Sequence, residues 1–174
     1  MIIFFDMDGV LDNFNDYADK LSPNRGKNKD YSELTEEEKR VRALFWDDTV
    51  KKDPYFWKKL EEIPNINKLI NYSIRKFGVE NLNILSSIPK HVSEDYKNII
   101  KQCKLDWLDE HFPYIFENIV LCEGKKEEYM IGKPKENILI DDRPYNIQKW
   151  IEKGGIGILF KSSEQALEEL KKVI

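Results

Sequence analysis

Short, near-continuous apolar runs recur along the chain at residues 2–5, 82–85, 119–121, 138–140 and 156–160. Runs of this length, bulky and rich in isoleucine, predict parallel strands covered on both faces. Between them the spacing becomes helical. Ile66, Leu69, Ile70, Ile74 and Phe77 form one apolar stripe, with Asn65 placed to cap it and Gly78 to stop it. Tyr96, Ile99, Ile100, Cys103 and Trp107 form a second stripe. Leu167, Leu170 and Ile174 mark the last helix, opened by Ser162 and Gln165 as a capping box. Strands alternating with helices predict an α/β fold, a doubly wound, Rossmann-like parallel sheet.

The stretch 14–63 breaks this rhythm, with helical pieces and no convincing strand. Thr35 and Glu38 box the start of a helix that runs to Phe45; the polar loop "SPNRGKNKD" precedes it, and "KKDPYF" breaks the helical pattern again after it. The pattern predicts a small helical insertion at 14–63 after the first strand, and an α/β core made of 1–13 and 64–174. The loop carrying Arg25, Lys27 and Lys29 and the runs "TEEEKR" and "GKKEE" read as solvated surface.

Composition narrows the classes. With 174 residues, 41% of them hydrophobic, the chain holds one sizeable core. A net charge of -4 argues against a general nucleic-acid-binding surface, which needs a basic field. No apolar stretch is long enough to span a membrane. The N-terminal run is too short for a signal peptide, lacks a basic leader and ends in Asp6. Cys103 and Cys122 read as two reduced, partly buried thiols, which fits a cytoplasmic setting. His91 and His111 are the only histidines, so a histidine-rich metal site is excluded.

Ligands of an open parallel sheet bind beyond the carboxyl ends of its strands. The first strand ends in Asp6 and Asp8, the second in Ser86 and Ser87, the fourth in Asp141 and Asp142. If these strands are neighbours, carboxylates and hydroxyls converge, and such a cluster needs a divalent cation. An all-oxygen set without histidine or thiolate favours Mg²⁺, which readily shares its site with a phosphate. A lysine should complete the charge balance. Lys104 flanks an apolar helical stripe, so its stem can pack inward while the ammonium reaches the strand ends. Lys125, just after the third strand, is a second candidate, and Lys133 resembles a loop residue.

Together, "DMDGVL", "ILSS", a helix lysine and "IDD" resemble the haloacid-dehalogenase-like hydrolase superfamily over nearly the whole chain. Within it, "DMDGVLDNF", "YFWKKLEEIP", "KLDWLDEHF" and "LIDDRP" resemble the 5'(3')-deoxyribonucleotidases of the cytosolic and mitochondrial type. The resemblance implies an Mg²⁺-dependent phosphomonoesterase acting on nucleoside monophosphates through an aspartyl-phosphate. Asp6 would be the nucleophile. Asp8 would be the general acid and base, its backbone carbonyl also binding the metal. Asp8 further separates phosphatase from dehalogenase chemistry, since a departing alkoxide needs a proton and a halide does not. Ser86 and Ser87 would hold phosphate oxygens, and Lys104, or Lys125, would neutralise them. Asp141 would complete the metal shell, with Asp142 orienting it. Phe14 would stack on the nucleobase, helped by Trp46. The resemblance allows a homodimer. Two departures stand out: "LCEGKKEEYMIGKPKEN" is longer than this subfamily leads one to expect, and Glu123 stands where a family arginine falls.

Other readings weigh less. "DMDGVLDNFND" lacks the glycine and the terminal acid of an EF-hand loop. A phosphoacceptor signalling domain would carry its acceptor after a middle strand and have no cap. A phosphatase of the same fold, acting on another small phosphate ester or on a nucleic-acid end, stays open as the alternative.

Overall fold

The five apolar runs form the five strands of one parallel sheet in the computed structural model, which describes residues 1–26, 29, 31–45, 51–53, 55–90 and 92–174. Strands β1 (Ile2–Phe5), β2 (Leu82–Ser87), β3 (Asn118–Cys122), β4 (Asn137–Asp141) and β5 (Ile156–Leu159) lie in the order β3-β2-β1-β4-β5. The chain runs outward from β1 to β3, then returns to the other side of β1 for β4 and β5. The switch point is therefore at β1, where a ligand crevice is expected. Phe5 stands opposite both Ile84 and Ile140, which brings the carboxyl ends of the three central strands level.

Alternation along the strands divides the core. Ile3, Phe5, Ile84 and Ile140 join the larger cluster with α3 (Ile66–Phe77), α4 (Glu94–His111) and α6 (Ser163–Lys172). Phe4, Leu85 and Leu139 face the other way, toward α5 (Pro144–Glu152), where Trp150 meets Phe4 edge-on at 5.4 Å. Both cysteines are buried. Among the described residues no helix is long and apolar enough to cross a membrane.

Between β1 and α3 lie α1 (Phe14–Leu21), α2 (Glu36–Leu44) and a 3-10 turn at Phe56–Lys59, with no strand among the described residues. The segments entering and leaving this insertion are tied together. Asn13 N–H donates to the Glu61 carbonyl at 2.9 Å, and Ile63 N–H to that of Leu11 at 2.8 Å. The Thr35–Glu38 box that opens α2 makes both of its bonds. Two other ends depart from expectation. Gln165 N–H donates to Ser162 Oγ, but the Gln165 side chain accepts from Lys161 N–H, so α6 has half a box. Asn65 occupies the N-cap of α3 without a capping bond, because its left-handed backbone (φ 61°) is not the extended conformation that a capping side chain uses.

In the basic loop after α1, Arg25 corrects the reading of a solvated segment, whereas Lys29 is exposed as that reading has it. Arg25 is buried and ion-paired with Asp19 at 2.8 Å, and its guanidinium lies 5.6 Å and 5.5 Å from the ring centres of Phe14 and Phe45. A planar, weakly hydrated cation can lie on aromatic faces where an ammonium would stay in water. Arg42 follows it, donating to the carbonyls of Arg25 and Gly26. Lys27 and His91 fall outside the described residues.

The long connection between β3 and β4 folds into two 3-10 turns, Lys126–Tyr129 and Pro134–Glu136. Buried Asn137 clamps it: the side chain accepts from Ile131 N–H at 2.9 Å and donates to the Ile131 and Lys133 carbonyls at 2.9 Å and 2.8 Å. Asn137→Ala leaves these backbone groups without their partner and should cost about 2 kcal/mol. The check is urea unfolding, in which the midpoint should fall and the slope stay unchanged.

Candidate active site

Asp6 follows β1 and sits under two constraints. Its carboxylate accepts from Met7 N–H at 2.7 Å, and Lys126 Nζ lies 2.8 Å away. The same ammonium is 2.6 Å from Asp141, which closes β4. Lys126 is buried, and backbone geometry takes it there. Gly124 and Lys125 adopt left-handed conformations (φ 102° and 55°), and this tight turn delivers the next side chain to the strand ends. Burial alone would lower the Lys126 pKa, but Asp141 and Asp6 outweigh it and hold the ammonium firmly charged.

Asp8 belongs to a second group. Lys104, fully buried on α4, lies 2.8 Å from it and donates to Ser86 Oγ and the Ser87 carbonyl, each at 3.1 Å. Trp57, from the 3-10 turn of the insertion, donates its indole N–H to Asp8 at 3.0 Å. Asp12 completes the loop by accepting from the amides of Gly9 (3.2 Å) and Phe14 (3.0 Å). Burial, then the nearby Asp8 charge, pushes the Asp12 carboxyl well above the usual range, and its other oxygen has no partner among the described residues.

Asp141 and Asp142 are adjacent but differently engaged. Asp141 accepts from the Arg143 amide at 2.8 Å and from Asn146 at 2.9 Å and 3.1 Å, besides meeting Lys126. Asp142 accepts one described hydrogen bond, from Asn15 Nδ2 at 2.5 Å. Burial, then the charges of Asp141 and Asp6, pushes its carboxyl up to about 8.

Four carboxylates, Asp6, Asp8, Asp141 and Asp142, thus face two ammonium groups, Lys104 and Lys126. Oxygens of Asp6, Asp141 and Asp142 lie within 4.8 Å of one another, a donor set that suits a hard cation such as Mg²⁺. The two loop aspartates are also driven apart. Burial opposes ionisation of Asp6, yet Lys126 and Lys104 prevail and its pKa falls; burial and the neighbouring Asp6 charge outweigh Lys104 at Asp8, and its pKa rises. Adjacent carboxyl groups whose pKa values are driven in opposite directions suit acid–base chemistry.

A cavity of about 290 Å³ opens above the cluster. Asp6, Asp8 and Asp142 line it together with Phe14 and Trp57, and Arg25, Lys29 and Arg42 bring positive charge to it.

Seven of the residues singled out in the sequence come together here: Asp6, Asp8, Ser86, Ser87, Lys104, Asp141 and Asp142. Lys125 does not join them. It is exposed and pairs with Glu128 at 3.2 Å, so the lysine beside Asp6 is its neighbour Lys126. This also corrects the solvated reading of "GKKEE". Phe14 borders the cavity but is itself 7% exposed, stacked on Trp57 with ring centres 6.2 Å apart and edge-on to Phe45 and Phe56. Trp46 lies outside the described residues. Glu123 pairs with Lys97 at 2.9 Å, and Lys133 is exposed. Lys126, Trp57 and Asn15 are the residues that sequence reasoning missed. Trp57 lay within "YFWKKLEEIP" and Lys126 in the doubled lysine of "GKK", whereas Asn15 carried no signal.

The profile of the family described as "5' nucleotidase, deoxy (Pyrimidine), cytosolic type C protein" matches residues 1–172. Among solved structures, a hydrolase from Streptococcus pneumoniae TIGR4 is similar at 14% identity, over 97% of this chain and 97% of that one, with a TM-score of 0.53. A HAD-superfamily hydrolase, subfamily IA, variant 1, from Geobacter sulfurreducens PCA is similar at 12% identity, over 99% and 96%, with a TM-score of 0.54. At these identities the likeness is one of fold. No curated protein matches the chain. With the match running over all but the last two residues, the chain belongs to the deoxy-pyrimidine 5'-nucleotidase family of cytosolic type C, and is a phosphatase of the haloacid-dehalogenase-like fold.

Proposed function

We propose that the protein is an Mg²⁺-dependent 5'(3')-deoxyribonucleotidase that works through an aspartyl-phosphate. The observation that carries this reading is the separation of Asp6 from Asp8: one carboxylate lies against Lys126, the other is bonded to Lys104 and Trp57. Asp6 attacks phosphorus and the ester P–O bond breaks. Asp8 gives its proton to the departing alkoxide oxygen. Asp8 then takes a proton from water as that water attacks the aspartyl-phosphate, which releases inorganic phosphate and restores Asp6. Ser86 and Lys104 hold the phosphate oxygens.

Asp6, Asp141 and Asp142, whose oxygens lie within 4.8 Å of one another, would hold the Mg²⁺ together with the Asp8 carbonyl. Asp141, whose oxygens already accept from Lys126, Asn146 and the Arg143 amide, holds Lys126 in place. When bound, the cation offsets the repulsion between an anionic nucleophile and an anionic substrate. Residues 14–63 act as the cap, and the nucleoside lies along the wall formed by Phe14 and Trp57. dUMP and dTMP are the expected best substrates, in keeping with the family. One observation favours a second reading, a phosphatase for an ester with a further anionic group: Arg25, Lys29 and Arg42 border the same cavity. Phosphate release across all nucleoside monophosphates and a panel of sugar phosphates and bisphosphates separates the two.

Asp6→Asn should reduce turnover below a few per cent of wild type while the far-UV circular dichroism stays unchanged. Larger residual activity would rule out Asp6 as nucleophile. A chelator should abolish activity and Mg²⁺ restore it, whereas Ca²⁺ should not, since its looser shell misplaces the phosphate; full activity in excess chelator would refute the metal requirement. Base stacking on an aromatic ring is worth roughly 1–3 kcal/mol, so Phe14→Ala should lower kcat/KM for dUMP about tenfold. Ribose 5-phosphate and acetyl phosphate should be nearly unaffected. Equal losses on both kinds of substrate would identify Phe14 as a packing residue.

A further inference from the structure

The contact between Asn15 and Asp142 joins two regions that are otherwise far apart in sequence. Asn15 lies in the first turn of α1, in the inserted segment; Asp142 follows β4 in the core. Asp142 borders the main cavity and a second cavity of about 360 Å³ beside Ser162 and Ser163, so open space adjoins it on two sides. Asn15 is the one described hydrogen-bond partner of its side chain. Nothing comparable to the Lys126–Asn146–Arg143 cradle of Asp141 supports it among the described residues.

The orientation of the Asn15 amide is itself determined from the other side. Arg25 Nη2 donates to Asn15 Oδ1 at 3.2 Å and to the Asn15 carbonyl at 3.3 Å, which leaves Nδ2 for the carboxylate. Arg25 is held in turn by Asp19 and by the rings of Phe14 and Phe45. The floor of the contact is equally particular. At Gly9 (φ +80°) a Cβ would strike both the Asn15 amide nitrogen and the Asp142 carboxylate, so the catalytic loop passes directly beneath the pair.

We propose that Asn15 is a positioning residue for the metal site: it holds one oxygen of Asp142 so that the other is free for the cation, and Arg25 acts through it. The inference rests on the proposed Mg²⁺-dependent function. It adds that cation binding at the sheet edge and docking of the inserted segment are one coupled event. The cation binds most tightly when Arg25, Asn15 and Asp142 are aligned, and by linkage a bound cation stabilises the docked insertion.

The test is cation binding, read apart from turnover. Chelator-stripped protein is titrated with Mn²⁺, with loss of the free-ion electron paramagnetic resonance signal as readout, and Mg²⁺ is then added as competitor. Asn15→Ala should weaken Mn²⁺ and Mg²⁺ binding about tenfold, the low end of what loss of a partner to a metal ligand costs. Arg25→Ala should weaken it by several-fold, Arg25→Lys less so, and the double variant should be no worse than Asn15→Ala within about twofold, because both act on the same carboxylate. Unchanged affinity in Asn15→Ala, or effects that multiply in the double variant, would overturn the proposal. If Asn15→Ala fails to fold by circular dichroism, Asn15→Ser and Arg25→Lys are judged by the same criteria. A wild-type protein that binds neither cation would overturn the metal-dependent reading and this inference with it; wild-type binding with an unaffected Asn15 variant would overturn this inference alone.

Discussion

The crowding of carboxylates at one edge of the sheet is the constraint on which the rest of the molecule depends. β1 and β4 are parallel neighbours, and their register brings Asp6 and Asp141 to the same level. Neither carboxylate is exposed enough for water to stabilise its charge. Lys126 lies between them, and Lys104 does the same for Asp8. Buried ion pairs stabilise a fold little compared with apolar packing, but removing one partner strands the other charge at a cost of several kcal/mol. The two lysines are thus conditions for folding as much as parts of the site.

The long β3–β4 connection follows from this requirement. Its two 3-10 turns and the Asn137 clamp surround the turn that brings Lys126 inward. The inserted segment is held to the core by equally specific contacts. Trp57 reaches Asp8, Asn15 reaches Asp142, Lys58 pairs with Asp106 on α4 at 2.6 Å, and the Trp107 indole donates to the Leu60 carbonyl at 2.8 Å. Two of these four contacts end on aspartates of the site, so displacement of the insertion alters the environment of both.

Local pattern was enough for the architecture. All five strands lie where the apolar runs fall; the central strands β1, β2 and β4 are buried along most of their length and must be apolar at most positions, while the edge strand β3 is exposed at Asn118 and Ile119. The stripes of α3 and α6 were equally legible, since one face of each helix is buried; in α4, Ile100, Cys103 and Trp107 are buried, whereas Ile99, counted in the stripe, is exposed. Seven site residues were readable because they end strands or come just after them, or because their helical spacing brings them to the strand ends. For Asp6, Asp8, Asp141 and Asp142, position at the strand ends was enough to expect acids meeting at a sheet edge once those strands are neighbours.

Tertiary structure alone decided the choices that depend on rotation and distant partners. Lys125 and Lys126 are the same residue type side by side; only the left-handed backbone at Gly124 and Lys125 settles which ammonium enters the core. Arg25 reads as a solvated cation until Phe14, Phe45 and Asp19 surround it, and those partners are set by the packing of the insertion. Asn65 looks like a cap in sequence but adopts the wrong backbone conformation. Asn15 shows no periodicity and no motif, because its partner Asp142 is 127 residues away along the chain. Hydrophobic periodicity reports which face of an element is buried. It carries no information about which polar group a buried charge will meet, and that is the part of the site the fold had to supply.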